Sequence, residues 1–597
     1  MKYLLPLLLL LPSAILFAQN ASISGVINDK YTGQEVVGAK VTIQSNTSDG
    51  KIYRALSNSN GIYSIEQVNV GTYSGFVTIL SFDSLLINIE IKPGSNTFDF
   101  TLGGSQELDE VQVIGNLAID RKTPVAVTRI SSEQIAEELG SQDLPMILNS
   151  TPGVHATQQG GGDGDARITI RGFDQRNVGV MIDGVPVNDM ENGAVYWSNW
   201  FGLDAITGQI QVQRGLGATK LAMPSVGGTM NILTQATGGK RMIRVSQEYG
   251  TGNFLRTSLA YKSGTLKNGW GVLFSGSYKQ GEGWVDGANT QGAFYYLKIQ
   301  KKIKNHIVSL SGFGAPQQHG QRSYSQPIEY WDSDYARSVG IADSAIDSER
   351  DNGIQFNQHW GYRNGETFNE RRNYYHKPQI TLKDFWKIND KLSWSNIAYT
   401  SIGRGGGQRY FNSASTIIRD ENGLVNWDTI VYNNQYKTLF GQVYSTADPA
   451  YDDNLLKSSQ ILSASVNNHF WIGGLSQFDY KPNDYWNIAG GLDYRYYKGE
   501  HYTEVIDLLG GDYFINESDL NASTTMKVVG DKIAREDRPY QNHRDGLVQW
   551  AGAFGQAEYS KDKWTAFVNV STVTNFYRGI DYFRKKQLTI GDTLIEI

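Results

Sequence analysis

Cysteine is absent from the 597-residue sequence, and its absence excludes several kinds of chemistry. The chain has no disulfide bond, no thiol nucleophile, no thiolate metal site and no lipid anchor on an N-terminal cysteine. Its eight histidines are scattered without metal-ligand spacing, so we expect no metal bound directly by the protein. The sequence also shows no set of catalytic residues and no phosphate-binding loop, which would contain a Lys-Ser/Thr pair. The sequence therefore predicts neither an enzyme nor a resident cofactor.

Long apolar runs are also missing after the N-terminus, whereas a membrane-spanning helix needs about 20 consecutive apolar residues. The first residues place Lys2 before an apolar stretch from Leu4 to Phe17, followed by the small residue Ala18. This order predicts a secretory signal peptide over residues 1–18, with an N-terminal membrane anchor as the alternative. The net charge of -6 argues against nucleic acid as a partner.

Glycine and aromatic residues are plentiful, with 65 Gly, 34 Tyr, 23 Phe and 13 Trp. Only 40% of the residues are hydrophobic, and the mean hydropathy is -0.39. This mixture is typical of membrane strands that have one apolar and one polar face. We therefore expect a mainly β protein that contains a large barrel.

Residues 21–102 contain short alternating runs separated by turn residues about every ten positions, which predicts a small antiparallel β-sandwich. The segments "GVINDKYTGQEVVGAKVTI" and "SNSNGIYSIEQVNVGTYSGFV" resemble the carboxypeptidase regulatory-like domain, a non-catalytic sandwich. Residues 103–115 form a short link, and residues 116–237 mix helix and strand signals typical of a compact α+β domain. In that domain we expect a helix capped by Ser131 or Ser132 and stopped at Gly140.

From residue 238 to 597 the period-two alternation becomes regular. Trp270, Val272, Phe274 and Tyr278, for example, alternate with small or polar residues, as on a strand with a lipid-facing side and a lumen side. We predict about eleven strands. They cover residues 241–249, 254–263, 268–280, 291–302, 305–314, 372–386, 391–402, 458–480, 485–499, 549–560 and 564–575.

The connections between these strands alternate between short turns and long polar segments. The long ones are predicted at about 314–371, 403–457 and 500–548, and this asymmetry is typical of an outer-membrane barrel. Because an open sheet edge is not tolerated in lipid, we expect the sequence to hold the N-terminal part of a barrel of about 22 strands.

Five segments, in order, carry a family resemblance: "LDEVQVIG" (108–115), "LPMILNSTPGV" (144–154), "ITIRGFDQRNVGVMIDGVPVND" (168–189), "IQVQRG" (210–215) and "SVGGTMNILT" (225–234). With them the chain resembles TonB-dependent outer-membrane receptors of the Bacteroidetes type. The resemblance implies that residues 116–237 are a plug domain inside the barrel. It also implies an energy-coupling segment, the TonB box, formed by Leu108, Asp109, Glu110, Val111, Gln112, Val113 and Ile114.

The implied mechanism is import across the outer membrane, powered by the proton gradient of the inner membrane. TonB would add a strand to the exposed coupling box and pull. The implied partners are TonB with its motor complex, a small ligand, outer-membrane lipid and, in some members, a surface lipoprotein. We expect a siderophore or another metal chelate as the ligand. The alternatives are glycan import by a SusC-like receptor, although "LGATKLAMPSVGGT" departs from the SusC plug motif, and an adhesin or signalling receptor.

Two turns in the centre of the plug are expected to be structural: Arg171-Gly172, and Asp183-Gly184 followed by Pro186. An arginine at position 171 is also placed to pair with carboxylates of the barrel wall. Plug residues expected to face the ligand, or alternatively to pack against the wall, are Asn188, Glu191, Tyr196, Trp197 and Trp200. From a long loop we add His319 and Arg322.

Overall fold

The structure is a computed structural model in which the chain forms two compact units, Met1–Asp109 and Glu110–Ile597. It describes residues 20–29, 35–47, 50–79, 85–102, 126–215, 223, 225–239, 241–323, 327–328, 331–346, 353–412, 417–521, 526–529, 540–561, 564–591 and 593–596. Among these residues, no helix is both long enough and apolar enough to span a membrane.

The first unit is the predicted β-sandwich. Its strands are β1 (Asn20–Asp29), β2 (Lys40–Ser45), β3 (Ile52–Leu56), β4 (Ile62–Asn69), β5 (Gly71–Thr78), β6 (Leu85–Ile91), β7 (Gly94–Thr97) and β8 (Phe100–Leu102). One sheet has the order β4-β1-β7, with β8 also paired to β1, and the other has the order β3-β2-β5-β6. Alternate residues of β1, including Ile23 and Ile27, are buried in the sandwich core. At Gly25 a Cβ atom would lie 1.9 Å from the Phe98 carbonyl oxygen, so this crossing requires glycine.

The plug domain is an α+β fold with two sheets. Its strands are β9 (Ala126–Ser131), β10 (Val154–Gln158), β11 (Ala166–Ile170), β12 (Phe173–Asp174), β13 (Val178–Ile182), β14 (Val185–Pro186), β15 (Thr207–Arg214) and β16 (Gly228–Thr234). The larger sheet has the order β14-β13-β16-β15-β9, and the smaller one has the order β10-β11-β12. The 3₁₀ helices are Leu144–Ser150, Gln175–Asn177, Trp197–Trp200 and Leu203–Ile206.

The one α-helix described in the plug domain, α1 (Ser132–Glu138), begins and ends where the sequence predicts. The Ser131 side chain caps it by accepting a hydrogen bond from the Gln134 amide at 3.2 Å. Gly140, just beyond its end, has a φ of +59°, which is the conformation that favours glycine after a helix. A 3₁₀ helix, Leu144–Ser150, follows it and has proline in its first turn.

The barrel sheet contains thirteen strands. They are β17 (Met242–Gly250), β18 (Phe254–Lys262), β19 (Trp270–Gly281), β20 (Thr290–Ile303), β21 (His306–Gly314), β22 (Gln317–Gly320), β25 (Arg372–His376), β26 (Gln379–Lys387), β27 (Leu392–Asn412), β32 (Gln460–Asn483), β33 (Trp486–Asp507), β36 (Tyr540–Lys561) and β37 (Trp564–Asp581). Sequential antiparallel pairing joins eleven of them, and β22 and β25 complete the path between β20 and β27. The predicted strand order and alternation are confirmed.

Burial alternates along these strands. On β19, Trp270, Phe274 and Tyr278 are exposed on the outer face, while Leu273 and Ser275 on the inner face are buried. An apolar outer face beside a buried, largely polar inner face is the arrangement of a strand in a membrane barrel.

Two predictions about strand bounds were wrong. The strand predicted at 372–386 is interrupted at Lys377-Pro378, and β21 is followed by a second break at Ala315-Pro316. Proline cannot donate to the ladder, so the strand pairing is interrupted at each proline, with the same register on both sides of the break. The long strands also continue past the predicted loop boundaries, since β27 reaches Asn412 and β33 reaches Asp507. Their outer ends are polar, so the apolar pattern stops before the backbone pairing does.

The long connections carry small elements of their own. They are α2 (Ser333–Ser338) and α3 (Trp427–Gln435), and the hairpins β23–β24 (Trp360–Arg363, Glu366–Asn369), β28–β29 (Tyr436–Leu439, Gln442–Ser445), β30–β31 (Ala447–Asp448, Asp452–Leu456) and β34–β35 (Tyr513–Asn516, Met526–Val529). A last hairpin, β38–β39 (Gln587–Ile590, Thr593–Glu596), follows β37. Short turns join the strands at the opposite end of the barrel sheet.

Candidate functional site

Both predicted plug turns are two-residue hairpins with positive φ at both positions. Arg171 (φ +52°) and Gly172 (φ +81°) connect β11 to β12, and Asp183 (φ +50°) and Gly184 (φ +81°) connect β13 to β14. Such turns match the twist of antiparallel strands and favour Asp-Gly pairs. Pro186 follows in β14, buried and opposite Met181. The structural role proposed for these residues is consistent with this geometry.

Asp183 ties the plug domain to the barrel sheet. Its carboxylate accepts hydrogen bonds from the amide and the hydroxyl of Thr234, both at 2.7 Å. From the barrel strand β26, Lys383 donates to the Asp183 carbonyl at 3.0 Å and lies 3.4 Å from its carboxylate. Burial by itself raises the pKa of Asp183, but the Lys383 ammonium and the Thr234 hydrogen bonds outweigh burial and hold the pKa below its ordinary value.

The sequence predicts that Arg171 pairs with carboxylates of the barrel wall. Its side chain is exposed, and its guanidinium lies beside Gly215 of the plug domain. In the part of the chain that the structure describes, Arg171 has no carboxylate partner. Among the described residues the guanidinium thus lies against the plug domain itself, and the arginine–wall pair stays a prediction.

The observed charge arrangement is the reverse of that expectation, because the acids lie on the plug domain and the bases on the barrel sheet. Among the described residues, six acid–base pairs share this polarity; three have Lys or Arg as the base, and three have a histidine, which adds a charge only when it is protonated. They are Asp163–Lys279 (2.7 Å), Asp165–His319 (3.3 Å), Asp183–Lys383 (3.4 Å), Asp189–His469 (4.0 Å), Glu191–His501 (2.6 Å) and Asp204–Arg256 (2.7 Å). Buried charges need such partners, since an unpaired charge costs several kcal/mol.

The charged form of Asp143, a carboxyl group in this interface, is destabilised. Asp143 accepts a hydrogen bond from the Gly164 amide at 2.8 Å and lies near the Asp163–Lys279 pair. Burial, followed by the neighbouring charge of Asp163, raises the pKa of Asp143 to about 6. The pKa of Asp143 therefore lies between that of an ordinary carboxyl group and that of an ordinary histidine.

The plug segment 188–193 contacts the barrel wall through Glu191. Its carboxylate accepts hydrogen bonds from the Tyr497 hydroxyl at 2.9 Å and from His501 Nε2 at 2.6 Å. Asn188, by contrast, bonds only within the plug domain, donating to the carbonyls of Val178 and Gly193 and accepting from the Val180 amide. Of these two predicted ligand residues, only Glu191 reaches the lumen wall.

The plug aromatics lie in two different environments. Trp197 and Trp200 are 4% and 5% exposed, meet edge to face at 6.1 Å, and belong to the core that joins the plug domain to the barrel sheet. Their burial favours the wall-packing alternative over direct ligand contact. Tyr196 is 41% exposed, and Asn192 donates to its hydroxyl at 3.1 Å. Tyr196 is therefore the accessible member of this group.

The two predicted loop residues also have structural partners. His319 is buried, with Nε2 3.3 Å from the Asp165 carboxylate and Nδ1 2.7 Å from Gln317. Arg322 donates to the carbonyls of Ile354 and Phe356 at 2.7 and 2.9 Å and lies over the ring of Trp331. These contacts order the long connection and do not bring the two side chains together.

The inward-facing wall residues that contact the plug were not predicted. They include Lys377, Lys383, His469, Tyr497 and His501, and all lie at or next to inward positions of the strands. Lys377 shares the inward alternation of Thr381 and Lys383, and its ammonium lies 3.7 Å from the Trp471 ring centre. A basic residue at an inward position was the available signal.

A cavity of about 830 Å³ opens at the long-loop end of the barrel sheet. Its lining contains many amide side chains and three aromatic rings but few charges. These amides and aromatics are Asn253, Gln280, Asn289, Gln291, Gln318, Asn369, Tyr249, Phe254 and Phe368. Of the predicted ligand residues, His319 alone lines it. No metal-binding cluster of His, Asp and Glu occurs among the residues that the structure describes. The predicted TonB box, Leu108 to Ile114, lies outside the described residues.

Family comparisons agree with this architecture. Residues 120–229 match the TonB-dependent receptor plug domain, and residues 22–103 match the carboxypeptidase regulatory-like domain. The chain therefore contains a plug domain of the TonB-dependent receptor type. It is similar to the ferric enterobactin receptor of Pseudomonas aeruginosa, at 29% identity over 150 residues, which cover 23% of this chain and 20% of that protein. It is also similar to the vitamin B12 transporter BtuB of Vibrio vulnificus, at 27% identity over 165 residues, covering 27% and 26% of the two chains.

Solved structures show the same fold. The receptor matches the unliganded ferric citrate transporter FecA with a TM-score of 0.51 and 14% identity, covering 76% of this chain and 57% of that one. It matches the FpvAI–pyocin S2 complex with a TM-score of 0.53 and 14% identity, covering 78% and 54%. The sequence thus spans little more than half of these transporter chains, and at this identity the likeness concerns the fold alone. The two similar curated proteins are named as a receptor and as a transporter, and neither is named as an enzyme.

We predict that Asp183→Asn loosens the plug domain in the barrel. The substitution leaves Lys383 buried without its counter-charge, which costs about 3 kcal/mol when a buried pair is broken. Hydrogen exchange at the amides of residues 178–187 should become faster in the full-length protein. Lys383→Met combined with Asp183→Asn should recover part of the protection, and equal exchange in all variants would contradict the assignment.

The raised pKa of Asp143 predicts that the folded plug domain becomes less stable as the pH rises. A carboxyl whose pKa is higher in the folded state stabilises that state when protonated, so the contribution is lost as pH rises from about 4 to about 6. Asp143→Asn should therefore slow plug hydrogen exchange, corrected for intrinsic rates, at pH 7 but not near pH 4. Faster exchange in the variant at pH 7 would show that the charged form is the stabilising one.

Proposed function

We propose that the receptor imports a scarce solute across the outer membrane, with the plug domain as its gate. The observation that carries the proposal is the set of plug–barrel contacts between acidic and basic side chains, in which three plug carboxylates pair with Lys or Arg and three with histidine. A domain held inside a barrel by buried pairs blocks passage until an outside force breaks them. Transport therefore requires a coupling device that acts on the plug.

The proposed coupling device is TonB acting on Leu108 to Ile114. This segment directly precedes the plug domain, so a pull on it is transmitted to β9, the first plug strand described. Strand addition uses main-chain hydrogen bonds, and the polar side chain of Gln112 is compatible with that mode of binding. The sequence has no phosphate-binding loop, which fits an external energy source.

For the substrate we propose a siderophore or another metal chelate. Two of the similar proteins are named for ferric enterobactin and vitamin B12, which are both metal chelates, and a similar solved structure is named for ferric citrate. Tyr196 and Glu191 are the plug side chains through which the gate would respond to such a ligand, because one is exposed and the other bonds to the lumen wall. A surface lipoprotein partner is proposed only if the receptor imports glycans.

Glycan import is the second candidate, and the cavity at the long-loop end favours it. Six amide side chains and three aromatic rings line about 830 Å³, a composition that suits a neutral ligand rich in hydroxyl groups. Host transcript levels separate the two candidates. Induction of this gene by iron starvation supports the chelate, whereas induction by a single glycan, together with a neighbouring surface-lipoprotein gene, overturns that preference.

We predict that deletion of Leu108 to Ile114 in the full-length receptor abolishes uptake. Insertion into the outer membrane and binding of ligand at the cell surface should remain, because the plug–barrel contacts lie C-terminal to the deleted segment. Uptake of radiolabelled ferric chelates and glycans by cells of the host measures the effect. Uptake at the parental rate by the deletion variant would disprove the coupling role of the segment.

A further inference from the structure

An aromatic row marks the short-turn end of the barrel sheet. Each member lies within four residues of a short turn, on the outer face, and is 39% exposed or more. The row consists of Trp270, Trp386, Trp394, Tyr480, Trp486 and Trp564. Above it, towards the long loops, the outer face carries aliphatic residues such as Leu297, Leu382 and Ile472. Tryptophan and tyrosine in this position are typical of the membrane–water interface.

The short turns beside this row have an unusual charge composition. Residues 262–269, 301–305, 387–391, 481–485 and 561–563 together contain ten lysines, three aspartates, no arginine and no glutamate. We call the lysines of these five turns the lysine belt. The long connections, residues 282–289, 315–378, 413–459 and 508–539, have the opposite balance, with 23 acidic and 14 basic residues. The positive charge is therefore concentrated at one end of the barrel sheet.

Direct contacts connect the belt to the aromatic row. The Lys301 ammonium lies 4.8 Å from the centre of the Trp270 ring, and these two residues face each other across β19 and β20. The Lys561 ammonium lies 5.2 Å from the ring of Tyr485, which is next to Trp486 in sequence. Lys304, Lys391 and Lys481 are exposed in three different turns. Long lysine side chains beside an interfacial aromatic row place their charges at headgroup level.

From this arrangement we infer that the lysine belt binds the headgroups of anionic phospholipids in the adjoining membrane leaflet. A lysine is attracted to a negatively charged membrane surface, and several lysines around the rim add their effects. The aromatic row fixes the depth at which the ammonium groups lie. The inference goes beyond the proposed import function, because it concerns how the barrel is held in the bilayer and does not depend on the imported solute.

The test measures lipid preference with the full-length receptor in bilayers of defined composition. Brominated phosphatidylglycerol and brominated phosphatidylcholine quench tryptophan fluorescence on contact, so competition between them gives a relative affinity next to the aromatic row. We expect a preference of about threefold or more for phosphatidylglycerol. The triple variant Lys304→Gln, Lys391→Gln and Lys481→Gln should lose most of this preference.

A matched variant controls for the total loss of charge. Arg337→Gln, Lys437→Gln and Lys457→Gln remove the same number of charges from the long connections and should leave the preference unchanged. Heat-modifiable gel mobility confirms that each variant forms a barrel. Equal quenching by the two lipids in the parent protein overturns the inference. A preference for phosphatidylglycerol that survives the belt substitutions also overturns the inference. Binding of an acidic periplasmic protein to the lysine belt, without binding of lipid, overturns it as well.

Discussion

Buried carboxylates of the plug domain face basic side chains of the barrel sheet, and the closed arrangement of the receptor depends on these pairs. The wall bases Arg256, Lys279 and Lys383 are buried and have lost most of their contact with water. Removal of the plug acids would take a counter-charge from each base in a poorly solvated place, and Arg256 would keep Glu248 of β17 at 3.9 Å. The same pairs position the plug turns, because Lys383 binds both the carbonyl and the carboxylate of Asp183. Moving the plug therefore means exchanging several charge partners at once.

Packing of apolar side chains complements this electrostatic contact. One core continues from the plug strands through Trp197, Trp200 and Phe201 to barrel residues such as Phe294 and Tyr296. Tryptophans in such a core contribute stability and keep water from the ion pairs, which strengthens them. A change at Glu191 can reach the wall directly through Tyr497 and His501.

The sequence was sufficient to locate the strands, the sandwich and the two hairpin turns, because period-two patterns and Asp-Gly pairs are local signals. It did not identify the charge partners. Asp183 and Lys383 are 200 residues apart, so their contact depends on strand register and on the seating of one domain in another. The contact of the Arg171 guanidinium with Gly215 was not predicted for the same reason, because it joins two separate plug segments. Lys377 continues the inward alternation of β26, but the alternation does not show which plug residue such a base faces.

A charge exchange at Asp204 and Arg256 tests the electrostatic seating of the plug most directly. The two groups lie 2.7 Å apart, with the acid on the plug domain and the base on β18. We expect Asp204→Arg and Arg256→Asp each to accelerate hydrogen exchange across the plug domain of the full-length receptor, and the double variant to restore much of the protection. Additive loss of protection in the double variant would contradict the account, because it would show that side-chain packing, not charge pairing, holds the plug in place.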